Sequence, residues 1–258
     1  MSFDADLTSC AALVERADPL RFRSVMAAPV AARRVLFPLY AFNVEVARAP
    51  WVTQEPMIAE MRLQWWRDVC EEIAEGKPVR RHEVATPLAA AIGPDAATLL
   101  DELVAARRWD IYKDAFEDEA HFARYMDQTA GNLMVVAARA LGTAEEGVLR
   151  DAAFAAGVAA WLRAIPELEA RGRVPLLDGT MDGVAALAQT AMERLHKARA
   201  SRALVSKAAR PALMHVAQAE AVLRAAAQDP IAVADGRLPD PVEAGRMTFA
   251  LRVVTGRW

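Results

Sequence analysis

An all-α fold is predicted from three observations. Alanine, leucine, arginine and glutamate dominate the 258 residues. Strand-type alternation of β-branched residues is scarce. Pro, Gly and short polar clusters interrupt the chain about every twenty to thirty residues, the spacing of helices and the turns between them. Apolar residues make up 54% of the sequence, enough for a sizeable core. No repeat, low-complexity linker or shift in composition divides the chain. Residues 1–258 therefore read as one domain, a bundle of about eight helices.

Residues 55–75 form the first clear helix. Pro56 suits its first turn, Gly76 its C-terminal stop, and Pro78 lies beyond. Ile58, Met61, Trp65, Val69 and Ile73 recur at helical spacing, so this stripe is expected to face the core. On that phase Trp65 is a core residue. Trp66, between Arg62 and Arg67, is either core or part of a cation–π rim or partner surface. Helices follow at residues 95–115, 119–141 and 144–165. The last is rich in small residues (Ala152, Ala153, Ala156, Gly157, Ala159, Ala160), which lets neighbouring helices approach closely and places it centrally. Pro166 is expected to end or kink it. Two further helices span 184–203 and 211–228. Residues 229–241 hold three prolines and a glycine and read as a loop, and a final helix starts near Val242.

Several function classes find no support. The net charge is −3, with no block of like charge to suit a nucleic acid. Asp4, Asp6 and Glu15 interrupt the N-terminal region, which does not resemble a signal peptide. Uncharged runs reach about eleven residues, as at 152–162, where a membrane span needs roughly 20. Cys10 and Cys70 form no metal or redox pattern and read as reduced thiols of a cytoplasmic protein. His82, His121, His196 and His215 are scattered, and no nucleophile elbow, P-loop or dinucleotide fingerprint is present.

Two groups of charged residues stand out. In the helix at 95–115, Asp110 and Asp114 are four apart and project from the same face as Leu99, Leu100, Leu103, Val104 and Ile111. They could hold a divalent cation between two carboxylates. Alternatively, Arg107 neutralises Asp110, or the charged end of the helix lies in water. Arg163, Arg171 and Arg173 gather after the small-residue helix. They either suit a diphosphate or carboxylate, or pair with Glu167 and Glu169.

Four stretches in order resemble the squalene/phytoene synthase family: RRVLFPLYAF at 33–42, RLQWWR at 62–67, YMDQTAGNLMVVAARALG at 125–142 and WLRAIPELEARGRVPL at 161–176. The resemblance covers residues 19–177. It implies an antiparallel helical bundle of the isoprenoid synthase type around a central apolar cavity. Active members join two prenyl diphosphates head to head, with aspartate pairs on two facing helices holding magnesium over the leaving group. The matching positions here are Ala47, Arg48 and Trp51 in the first segment and Ala164 and Leu168 in the second. Neither segment holds a D-x-x-x-D pair.

The resemblance thus implies a relative without the usual metal clamps, needing no cofactor, and close to the branch that includes a mitochondrial assembly factor for respiratory complex I. Asn43, Arg48, Arg163, Arg171 and Arg173 become candidate ligand-binding residues. An isoprenoid or other lipid and a membrane-protein partner become the expected contacts, with placement in the cytoplasm, peripheral at the inner membrane. The alternative is an active transferase whose magnesium site is rebuilt from Asp110 and Asp114 as catalytic candidates, with Glu45 or Glu167. A third reading is a plain interaction module whose own side chains fill the cavity.

Overall fold

Punctuation in the sequence decides most helix ends. The computed structural model describes residues 2–240 together with Thr255 and Trp258. Within them lie α1 (Ser2–Ala17), α2 (Pro19–Met26), α3 (Val30–Arg48), α4 (Pro56–Ala74), α5 (Ala85–Ala91), α6 (Pro94–Ala106), α7 (Glu119–Met126), α8 (Asn132–Arg139), α9 (Glu146–Ala170), α10 (Met181–Ala200), α11 (Ala219–Gln228) and α12 (Ile231–Ala234). Short 3₁₀ or π turns join several of them, and among the described residues extended pairing is limited to one isolated bridge, Ala144–Val205. The expected all-α bundle is therefore observed. The final helix expected from Val242 falls outside the described residues.

Both α4 and α9 end on a left-handed glycine. Gly172 has φ +76°, Arg173 N–H donates to Leu168 O at 3.0 Å and Gly172 N–H to Glu169 O at 2.8 Å. This pair of bonds closes the last carbonyls of α9 and turns the chain back sharply. Gly76, at φ +66°, does the same for α4. Pro56 and Pro94 sit in the first turns of α4 and α6, where a missing N–H costs no helical bond.

The small-residue helix α9 is the centre of the bundle. It packs against α7, α8, α10, α11 and α12, and its buried residues run from Val148 to Leu168 on several sides. Pro166 neither ends it nor breaks it, contrary to expectation. Ile165 and Leu168 are buried on either side, and their packing outweighs the one lost hydrogen bond. Pro38 is carried through the middle of α3 in the same way.

Two further expectations are corrected. The helix at 119–141 is interrupted by a π turn at Asp127–Gly131, and the segment at 211–228 begins as a 3₁₀ helix, Arg210–Gln218. The phase of α4 also differs. Its core face is Ala59, Leu63, Trp66, Val69, Cys70 and Ile73, whereas Ile58 and Met61 are exposed and Trp65 is half-buried. Trp66 meets Phe42 edge to face at 5.2 Å. Trp65 lies outward of it, under Arg80 at 5.5 Å, while Arg67 turns away to grip Asp101 through two bonds of 2.7 and 2.9 Å.

The two adjacent tryptophans therefore carry different loads. Trp66→Ala is expected to destabilise the fold by about 3–5 kcal/mol, as large-to-small core changes of this size do. Trp65→Ala is expected to lose less than half of that. Urea unfolding of the two variants checks the order.

Candidate functional site

The helices leave a cavity of about 660 Å³ open between α3, the π turn after α7, and α9. The protein's own side chains do not fill it, which removes the plain-module expectation. From α3 come Asn43, Val44, Ala47 and Arg48, followed by Trp51. From α9 come Ala156, Gly157, Ala160, Ala164, Glu167 and Leu168. Ala47, Arg48, Trp51, Ala164 and Leu168 all stand in this wall.

The π turn shapes the third side. It bulges the helix by one residue, and Thr129 hydroxyl donates to Tyr125 O at 2.6 Å within it. Tyr125, Met126, Thr129 and Ala130 thereby reach the cavity. Opposite, Gly157 of α9 allows the close approach. A Cβ there would lie 3.0 Å from Ala130 Cβ and 3.3 Å from Met126 Sδ.

A buried charge cluster backs the cavity. Asp110 is only 4% exposed. Tyr125 hydroxyl donates to its two oxygens at 2.9 and 3.1 Å, and Arg107 Nη1 donates to Oδ2 at 3.1 Å and to the Tyr125 hydroxyl oxygen at 2.8 Å. Arg173 completes the cluster with Nη2 3.5 Å from Asp110 Oδ1. Burial, with Asp110 beside it, pushes the Tyr125 phenol above its ordinary range. Burial also works against the Arg107 charge, but Tyr125 and Asp110 outweigh it and hold the guanidinium firmly protonated.

Arg173 reaches this position because the Gly172 turn reverses the chain there. Its guanidinium lies between Trp51 at 5.4 Å and Trp109 at 4.6 Å, and it donates to the carbonyls of Tyr112 and Trp109. Arg171 stacks on Trp51 at 4.8 Å and pairs with Glu167. Arg48 pairs with Glu45 at 3.4 Å.

The sequence candidates thus separate. Asn43, Arg48, Asp110 and Arg171 line the main cavity. Arg163 lines an adjoining chamber and pairs with Asp240 at 3.7 Å, and Arg173 lies behind the wall as a partner of Asp110. Asp114 is not with them. Helix α6 ends at Ala106, Arg107–Asp110 tighten into a 3₁₀ turn, and Asp114 falls in the exposed stretch beyond. The i,i+4 stacking with Asp110 therefore does not form, because the buried bonds to Asp110 redirect the backbone. Of the readings left open for Asp110, neutralisation by Arg107 is the one observed.

The adjoining chamber, of about 330 Å³, holds residues that sequence reasoning missed. Asp18 caps α2, accepting from Arg21 N–H at 3.0 Å and from its guanidinium at 2.5 Å. Burial pushes the Asp18 carboxyl up, but the Arg21 charge and these bonds outweigh it and hold the group below the usual range. Arg21 lies over Tyr40 at 5.3 Å, and Tyr40 donates to Ala212 O at 3.3 Å. Burial raises the Tyr40 phenol to about 12. His215 stands edge-on to Tyr40, and burial with the nearby Arg21 pushes it down to about 3. Asp before Pro is a common helix start and is the signal that could have marked Asp18. Nothing local marks Arg21 or His215, which meet only through folding.

Among the described residues, no three His, Cys, Asp or Glu side chains gather as a metal site. Cys10 and Cys70 are free and buried, and burial raises both thiols to about 12. No helix of the described residues is long and apolar enough to cross a membrane.

The model of the squalene/phytoene synthase family matches residues 14–176. The complex I assembly factor 6 homologue of Drosophila melanogaster is 29% identical over 177 residues, covering 65% of this chain and 53% of the relative. The human complex I assembly factor 6 is 26% identical over 170 residues, covering 64% and 51%. The chain thus spans about half the length of the curated relatives it matches. A crystal structure of a dehydrosqualene synthase in complex with ligand superposes with a TM-score of 0.76 over 98% of this chain and 95% of that one, at 14% identity, a likeness of fold. The chain belongs to the squalene/phytoene synthase family.

Two outcomes follow from the buried groups. Asp110→Asn leaves Arg107 and Arg173 without their shared counter-charge and is expected to destabilise the protein by about 3–5 kcal/mol, read by chemical unfolding. His215 is neutral when folded down to about pH 3. The unfolded chain takes up that proton from about pH 6.5 downward, so stability present above pH 6.5 is lost as pH falls, at up to about 1.4 kcal/mol per pH unit. Between about pH 6 and 5, His215→Gln is expected to flatten this slope in unfolding titrations.

Proposed function

We propose that this member of the squalene/phytoene synthase family is not a head-to-head prenyltransferase, but binds an amphiphilic lipid and serves the assembly of respiratory complex I. The observation that carries this reading is the cavity wall itself. On α3, the turn after it and α9, the positions that the resemblance sets against the magnesium clamps carry Ala47, Arg48, Trp51, Ala164 and Leu168, all in the wall. Diphosphate leaves only when its charge is neutralised, and magnesium requires near-octahedral oxygen ligands to do that. The acids that remain are engaged elsewhere: Asp18 with Arg21, Asp110 with Arg107, Arg173 and Tyr125, and Glu167 with Arg171. This donor set does not fit a magnesium cluster, and losing the metal removes what is usually the largest catalytic term.

The same wall suits binding. Val44, Met126, Leu133, Ala156, Gly157 and Ala160 offer an apolar channel for a hydrocarbon chain. Arg48 and Arg171, both near half exposure, line the cavity with Asn43, and each guanidinium has N–H donors beyond its pair with Glu45 or Glu167 to offer an anionic head group. Arg163 extends this cationic side into the adjoining chamber. The chain then acts at the surface of the inner membrane, where complex I and a lipid ligand both reside. The similarity to assembly factors named for complex I supports the second half of the proposal.

Purified protein given farnesyl diphosphate and magnesium is expected to yield neither head-to-head product nor released diphosphate. Cells lacking the chain are expected to lose assembled complex I and its NADH dehydrogenase activity. Product formation sinks the binding reading, and normal complex I in the deletion sinks the assembly role.

A further inference from the structure

The adjoining chamber holds polar groups that nothing described so far uses. It lies between the start of α2, the middle of α9 and the 3₁₀ segment Arg210–Gln218 that leads into α11, and measures about 330 Å³. Two polar atoms of its lining residues, Arg21 Nε and His215 Nδ1, are buried and have no hydrogen-bond partner among the described residues. His215 is only 6% exposed, and Gln218 only 7%. Residues three apart on a 3₁₀ helix share a face, so Gln218 stands on the same side as His215 and lines the chamber with it. No described residue bonds the Gln218 amide. Buried polar groups are ordinarily satisfied, so three in one lining call for a group that meets them.

Charge and donor count set the chemistry of that group. Asp18 answers Arg21 at 2.5 Å, Asp240 answers Arg163 at 3.7 Å, and His215 is neutral in the folded protein. An ion entering this space would be buried without a free counter-charge, which is costly. The unused groups are mixed in character. Arg21 Nε–H only donates, a neutral imidazole offers one N–H and one lone pair, and the Gln218 amide both donates and accepts. A hydroxyl also does both. The remaining wall, Ala156, Ala159, Ala160, Ala219 and Val222, is apolar and suits a hydrocarbon body.

We infer that this chamber is a second ligand site, one that takes an uncharged, hydroxyl-bearing hydrocarbon, an alcohol and not a phosphate or carboxylate. Ala17, Asp18, Arg21, Ala156 and Ala160 line both spaces, so the chamber opens onto the main cavity and a ligand can enter through it. The alcohol site does not rest on the function proposed for the main cavity.

Octanol titrated into the isotope-labelled full chain tests this by NMR. The side-chain amide signals of Gln218, identified by their absence from Gln218→Leu, are expected to shift and saturate. Octanoate at the same concentrations is expected to leave them in place. Gln218→Leu is expected to keep or raise the unfolding midpoint, because it replaces an unpartnered buried amide with an apolar group of similar size. The same variant is expected to bind octanol about tenfold more weakly by calorimetry. Gln218→Glu, which keeps the side-chain length, identifies the same signals if Gln218→Leu does not fold. Wild-type protein that takes up no octanol, or takes it up with the Gln218 signals fixed, overturns the inference. So does a folded Gln218→Leu that binds octanol as tightly as wild type. Octanoate that shifts the Gln218 signals equally overturns it as well and makes the chamber part of an anion site. Product assays and complex I assembly read the main cavity, so the two proposals fail on different measurements.

Discussion

Compensation of one buried carboxylate organises this molecule. Asp110 is nearly inaccessible, and a charge in that position is tolerated only with partners that satisfy its oxygens. Those partners come from three places in the chain: Arg107 one turn before, Tyr125 from α7, and Arg173 from beyond the end of α9. Bringing them together fixes where α6 stops, where the stretch after it turns, and how the tail of α9 folds back. The Gly172 turn supplies the reversal without strain. Trp51 and Trp109 then sandwich the Arg173 guanidinium, which ties the end of α3 to the same cluster.

That cluster bears on chemistry as well as on architecture. A carboxylate that accepts from a phenol and a guanidinium, with a second guanidinium beside it, has its lone pairs committed. To ligate a metal it would give up bonds in a low-dielectric site where each counts heavily. The remaining acids of the wall are committed in the same manner, Asp18 through Arg21 and Glu167 through Arg171. The cavity therefore presents guanidinium edges, aromatic faces and small apolar residues to whatever enters. Such a surface has the chemistry that the proposed amphiphile calls for, apolar over much of the wall and cationic at its arginines.

How far the sequence disclosed this depended on how local each determinant is. Pro56 and Gly76 act within a turn, and the helix ends they mark are where they were expected. The small-residue stripe of α9 likewise marked the central helix. Errors arose where tertiary packing overrode a local rule. Pro166 was read as a break, yet packing on both sides carries the helix through it. In α4, Ile58 and Met61 drew the apolar axis away from the true core face, so Trp65 was chosen over Trp66; those outward residues belong to the surface. Asp110 and Asp114 looked like a pair on one helix, but pairing of Asp110 with Arg173, 63 residues away, ends the regular geometry before Asp114. Arg21, Tyr40 and His215 carried no local signal, since Tyr40 meets the His215 segment across 172 residues of sequence.

A scaffold can keep its hollow while its reactivity goes, because different residues maintain the two. The width of the cavity is set by contacts such as Gly157 against Ala130 and Met126, and by the π turn that pushes Thr129 and Ala130 inward. None of these groups ligates a metal. Ala47, Trp51, Ala164 and Leu168 place no like charges across this space, where unpaired carboxylates would repel one another. The hollow thus stands on packing that asks nothing of the charges lining it.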